Sequence, residues 1–183
     1  MIYFIRHGLT NFNKLGKVHG QIDEPLNEEG IMQAEKAKAE VDKLDFDLIY
    51  CSPLLRAKKT AQILNQTKKV PIVYDDRLKE VNAGNMQGQV FLDFPQEVRE
   101  HYFAHPEDFG GETHEQLKQR VSDVYREIEK LGKNVLIVSH AVVGKILLEE
   151  LQINKTYTGK IPVPDNCEVV VLSGEKSRLI NMQ

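Results

Sequence analysis

Unbroken apolar runs of four residues, separated by amphipathic stretches, set the rhythm of this chain. Ile2-Tyr3-Phe4-Ile5 and Val135-Leu136-Ile137-Val138 both stop at polar residues, Arg6-His7 and Ser139-His140. A strand covered on both faces reads as a continuous apolar run, so each predicts an interior strand of a parallel sheet. Residues 28–44 carry Ile31, Ala34, Ala37, Val41 and Leu44 at spacings of three and four, which is one face of a helix. Residues 47–50 predict a short strand, and residues 54–64 a helix packing through Ala57, Ala61 and Leu64. Residues 70–74 predict another strand, whose Pro71 suits a sheet edge because proline donates nothing to a ladder. Leu117, Val121, Val124, Ile128 and Leu131 alternate by four and three over residues 113–131, and Thr113 with Gln116 has capping-box spacing. A helix follows His140 through Val143, Ile146, Leu147 and Leu151, and residues 167–172 and 178–181 predict two last strands forming a hairpin.

Strands that alternate with helices predict an α/β fold, a three-layer α/β/α sandwich on a mainly parallel sheet. The chain of 183 residues suffices for one core, so a single domain over residues 1–183 is expected. Only residues 81–111 break the rhythm, mixing Phe91, Phe94, His101, Tyr102, Phe103 and His105 with two prolines. A long irregular segment in a compact domain suits a lid, and we assign it to substrate recognition; its aromatics either anchor it or touch ligand.

Composition narrows the partners. With 41% hydrophobic residues, 28% charged residues and a net charge of -3, the chain reads as a soluble globular protein with no basic surface for nucleic acid. No apolar stretch approaches a membrane span and no basic leader precedes one, so the expected location is the cytoplasm. Cys51 and Cys167 are too few and too far apart for a disulfide framework or a metal-binding pair, and read as small core residues. Monomer and homodimer are both compatible with these features.

Ligands of open α/β sheets collect at the carboxyl ends of the strands. Three predicted strand ends deliver polar groups there: Arg6-His7, Ser52-Pro53 with Arg56, and His140. Two guanidiniums, charged at any physiological pH, chelate a phosphoryl group through charge-assisted hydrogen bonds. An imidazole beside a bound phosphate attacks phosphorus if one nitrogen is kept unprotonated, and His7 fits that role. Glu80, beyond the strand at 70–74, is the carboxylate best placed to protonate a leaving alkoxide. Thr10 and Asn13 supply neutral donors for phosphate oxygens, and Gly8 permits close backbone approach at the turn. His7 and His140 lack an evident third ligand, so no metal is expected. His19, His101, His105 and His114 have no comparable setting and read as surface or lid residues.

At these residues the chain resembles the histidine phosphatase superfamily, in the branch related to cofactor-dependent phosphoglycerate mutase. Arg6-His7-Gly8 with Thr10 and Asn13 is similar to the family's first signature, and Gly20, Asp23, Pro25-Leu26, Gly30 and Gln33-Ala34 to its next block. Ser52-Pro53-Leu54 with Arg56-Ala57 and Thr60-Ala61, Glu80 with Gly84 and Gly88, Gly111-Glu112-Thr113 with Arg120, and Ser139-His140 follow in family order. Leu9 departs from the family's usual Glu or Gln, and Asn85-Met86-Gln87 from a common tryptophan, where the non-transferred part of the substrate would rest. The resemblance implies a phosphoglycerate mutase-like fold and a phosphatase acting on a small phosphomonoester without metal or organic cofactor. It makes His7 the phosphorylated nucleophile, Arg6, Arg56 and His140 the phosphate pocket, and Glu80 the proton donor, with Asn13, Thr10 and Gly20 at the substrate. A mutase and a non-catalytic phospholigand-binding domain are the alternatives.

Overall fold

Each apolar run lies between two layers because its side chains alternate faces. The computed structural model describes residues 1–150 and 163–172. Strand β1 (Ile2–Arg6) pairs in parallel with β4 (Val135–Ser139), β4 with β2 (Leu48–Cys51), and β2 with β3 (Ile72–Tyr74). Strand β5 (Val169–Val171) pairs antiparallel to β1, which gives a five-stranded sheet in the order β3-β2-β4-β1-β5. On one face Phe4, Tyr50, Ile137 and Val170 pack against helices α5 (His114–Lys130) and α6 (Ala141–Glu150). On the other, Ile5, Ile49, Leu136 and Val169 pack against α2 (Glu28–Val41) and α3 (Leu55–Leu64). The three-layer expectation holds, and β3, which opens after Pro71, is an edge strand. Register does the functional work: Arg6 pairs with Ser139 and Cys51 with Val138, so three neighbouring strands end level.

The predicted elements appear with small shifts at their ends. Helix α2 stops at Val41 because Lys43 and Leu44 turn back with N–H bonds to Glu40 and Val41, although Leu44 still packs on the core. Helix α5 has the capping box expected of Thr113 and Gln116, each side chain accepting the other residue's backbone N–H. Leu151, the strand at 178–181 and its hairpin lie outside the described residues.

Two elements depart from the sequence reading. Helix α1 (Asn11–Lys14) is a single turn capped by Thr10, too short to leave a periodic signal. Residues 81–111 are not irregular throughout: three short 3-10 turns and a helix, α4 (Gln96–Ala104), lie within them. Phe91, Phe94, Tyr102 and Phe109 gather there around Ala83 and Met86, so the aromatics make a small core of their own. That unit is laced to residues 16–18, with Gly88 and Phe91 donating N–H groups to Val18 and Gly16, and Val18 donating to Gln89.

Candidate active site

The level strand ends open into a cavity of 200 Å³ lined by Arg6, His7, Arg56 and Glu80, with Asn13, Lys17, Val18 and His19 from the loop after β1. That loop is held by close backbone packing. A side chain at Gly8 would meet the carbonyl of Gly30 at 2.3 Å, and one at Gly30 the carbonyl of Leu9 at 2.0 Å, so both positions require glycine. Leu9 is further fixed at both ends of its peptide, its N–H donating to Gln33 Oε1 and its carbonyl accepting from Asn27 N–H. The approach that Gly8 permits is therefore to α2.

His7 is buried, and its Nδ1 lies 2.7 Å from the Gly8 carbonyl. A carbonyl only accepts, so Nδ1 carries the hydrogen and Nε2 keeps its lone pair. Burial, then the charge of Arg56, hold His7 well below the ordinary histidine range, and the imidazole is neutral at pH 7. Arg56 is fully buried; its Nη1 donates to the Ile22 carbonyl and its Nη2 to Gly20, while Nε has no protein partner. Burial lowers it to about 10, which leaves it charged. Arg6 donates from Nη1 to the Pro164 carbonyl, and its Nε is likewise buried and unpartnered. Two guanidiniums and Lys17 against one carboxylate make the cavity cationic, and the unpartnered donors suit an anion with several acceptor oxygens.

Glu80 is buried, with Oε1 accepting the N–H of Val81 and Oε2 the N–H of Val142. Arg120 fixes this stretch from α5, donating to the carbonyls of Arg77, Lys79 and Glu80 while it pairs with both oxygens of Glu112. His140 is fully buried behind the cavity; its ring centroid is 5.2 Å from that of His7, Nε2 meets Ser52 Oγ at 2.7 Å, and Nδ1 is unpartnered.

The structure thus brings together Arg6, His7, Arg56, Glu80 and Asn13, with His140 in contact. Thr10 is placed differently from the reading that puts it on phosphate: it is fully buried as the cap of α1, bonded to Asn13 and to His19 Nε2. Asn13 spends Oδ1 on the Thr10 N–H, which leaves its amide nitrogen as donor. Gly20 lines the cavity and presents its carbonyl to Arg56, with φ of +49°. Its absent side chain makes room for Gln87, whose Oε1 accepts the Gln21 N–H. Leu9 and Asn85-Met86-Gln87, the two departures from the family pattern, are not among the lining residues; Met86 is buried in the cluster that includes Tyr102 of α4.

His19 corrects the reading that left it on the surface. Its ring is 6.0 Å from that of His7, it lines the cavity, and burial with the charges of Arg56 and Arg6 lowers it to about 3. Lys17 is a second lining residue absent from the sequence reading. Among the described residues no group of three His, Cys, Asp or Glu is placed to hold a metal ion, and no helix is long and apolar enough to cross a membrane.

Comparison with known proteins gives the family and the fold. The family model described as histidine phosphatase superfamily (branch 1) matches residues 2–181. An uncharacterized phosphatase, PhoE, of Bacillus subtilis is 34% identical over 152 residues, 82% of this chain and 76% of that protein. A metal-independent phosphoserine phosphatase of Arabidopsis thaliana is 34% identical over 150 residues, 76% of this chain and 63% of its own. The crystal structure of the alpha-ribazole phosphatase from Shigella flexneri superposes with a TM-score of 0.79 at 28% identity, covering 99% of this chain and 96% of that one.

Proposed function

Because the chain belongs to the histidine phosphatase superfamily, branch 1, and is a phosphatase of that type, we propose that it hydrolyses a small phosphomonoester through a phosphohistidine on His7. The observation that carries this reading is the neutral, buried imidazole of His7, its tautomer set by the Gly8 carbonyl, beside two buried guanidiniums. Nε2 attacks phosphorus while Arg6 and Arg56 take the equatorial oxygens, and His140, expected from the sequence to join them, backs the His7 ring from behind the cavity. Glu80 gives a proton to the departing alkoxide and then takes one from the water that cleaves the phosphohistidine. Both oxygens of Glu80 are fixed by backbone N–H groups, which aims the carboxyl without a mobile side chain. The reaction as proposed uses no metal: the charge that a cation would supply to phosphorus comes from the guanidiniums, which repel one. Cytoplasmic location and action as a single domain belong to the same proposal.

The test is turnover of p-nitrophenyl phosphate in excess chelator by wild type, His7→Ala and Glu80→Gln. Activity is expected to survive the chelator and to vanish in His7→Ala. Nitrophenolate leaves without a proton, so Glu80→Gln should lose far more on an alkyl phosphate than on the aryl ester. Loss of wild-type activity in chelator overturns metal independence, and isomerisation of phosphoglycerate in place of hydrolysis makes the protein a mutase.

A further inference from the structure

A second cavity, of 330 Å³, adjoins the cationic one and shares Val18, Val81 and Val142 with it. Resting on the hydrolytic reading, we propose that this annex holds the organic part of the substrate, and that this part is an uncharged alkyl or aryl group.

The position of Glu80 carries the argument. The leaving oxygen must lie beside the group that protonates it, and the two residues whose backbone N–H groups hold the Glu80 carboxyl, Val81 and Val142, line both cavities. A substituent on the leaving oxygen is thereby led from the cationic cavity into the annex. Beyond, the walls are Phe91, Tyr102, Phe103 and Leu117. Tyr102 stands near enough to Glu80 that, after burial, the Glu80 charge is what raises its phenol.

The polar lining decides the charge of the occupant. No lysine or arginine is among the lining residues described, and the one imidazole there, His114, faces solvent at 65% exposure with a Glu149 carboxylate oxygen 3.9 Å away, so a carboxylate on the leaving group finds no buried cation. Glu112 also lines the annex, but both its oxygens are held by Arg120 and one also by the Asn82 N–H, so it is already neutralised and offers an ammonium little. Burying an unpaired charge in such a cavity is costly, whereas each buried methylene is favourable. An amino acid phosphate, charged twice on its organic part, is the poor substrate; a chain or ring that fills 330 Å³ is the good one.

The experiment measures kcat/KM for n-alkyl phosphates from ethyl to hexyl, which share a leaving group of nearly constant basicity, and for O-phosphoserine. The expected result is a rise of up to about fourfold per methylene, with phosphoserine below ethyl phosphate. Phe103, 73% exposed and free of the fold's core, is the residue to change: Phe103→Ala should flatten the dependence on chain length, and Phe103→Arg should raise phosphoserine relative to hexyl phosphate. A flat series, or phosphoserine preferred by wild type, overturns the annex while p-nitrophenyl phosphate turnover upholds the phosphatase. Failure to cleave any ester, the aryl one included, overturns the hydrolytic reading and the annex with it.

Discussion

Arg120 touches no cavity wall near His7, yet three backbone carbonyls, of Arg77, Lys79 and Glu80, converge on its guanidinium and Glu112 neutralises it. A fork of five donors does this; a lysine ammonium keeps the charge but has one nitrogen to share among the same acceptors. Arg120→Lys is therefore expected to loosen the stretch that aims Glu80. The loss should appear as about a tenfold fall in kcat for an alkyl phosphate and a much smaller fall for p-nitrophenyl phosphate, since only the former needs the proton. Equal losses on the two esters would reduce Arg120 to a support of the fold. The resemblance places Arg120 in a family block without saying what it does; the carbonyls it binds supply the reason, and no pattern of side chains encodes them.

At the scale of elements, the site is the junction of β1 with α2. The first turn of α2 receives the Leu9 loop at Gly30, where an added methyl group would lie 2.0 Å from the Leu9 carbonyl. Backbone cannot yield as a side chain does, so Gly30→Ala should cost about 1–3 kcal/mol, as overpacking does, and should lower activity further by shifting His7. A chemical denaturation curve beside an assay of the variant checks both; unchanged stability would mean that the loop moves freely. This scale also explains what was legible in the chain. Arg6, His7, Arg56, Glu80 and His140 are readable because each follows a strand marked by its apolar run, and level strand ends in a parallel sheet bring them to one edge. Lys17 and His19 are not, since a four-residue helix with no period returns them to the cavity. Thr10 reads as a phosphate donor by type alone, while Asn13 three residues on makes it a cap. Helix α4 hides for another reason: it packs on 3-10 turns and aromatics instead of the sheet, so its apolar residues follow no simple stripe.

Across the whole molecule, a neutral nucleophile at pH 7 carries an acid liability. His7 and His140 are both buried and both held well below 6.5, by burial first and then by the charge of Arg56, and the same two causes lower His19 to about 3. In the unfolded chain each takes up a proton near pH 6.5, and in the folded protein none does until the pH is far lower. The unfolded state thus binds more protons across that window, and stability is full above pH 6.5 and lost as the pH falls through it. The loss comes to about 2 kcal/mol for each of these imidazoles between pH 7.5 and pH 5, or about 6 kcal/mol for the three, before the carboxylates begin to titrate. Urea unfolding at half-unit steps over this range measures it. His140→Gln, which removes one of the three protons at issue, should make the decline shallower by about 2 kcal/mol whatever it does to stability at pH 7.5. A wild-type stability that stays level to pH 5 would mean that His7, His19 and His140 take up protons in the folded state. The lone pair on Nε2 of His7 would then be lost in the same range, and the attack on phosphorus with it.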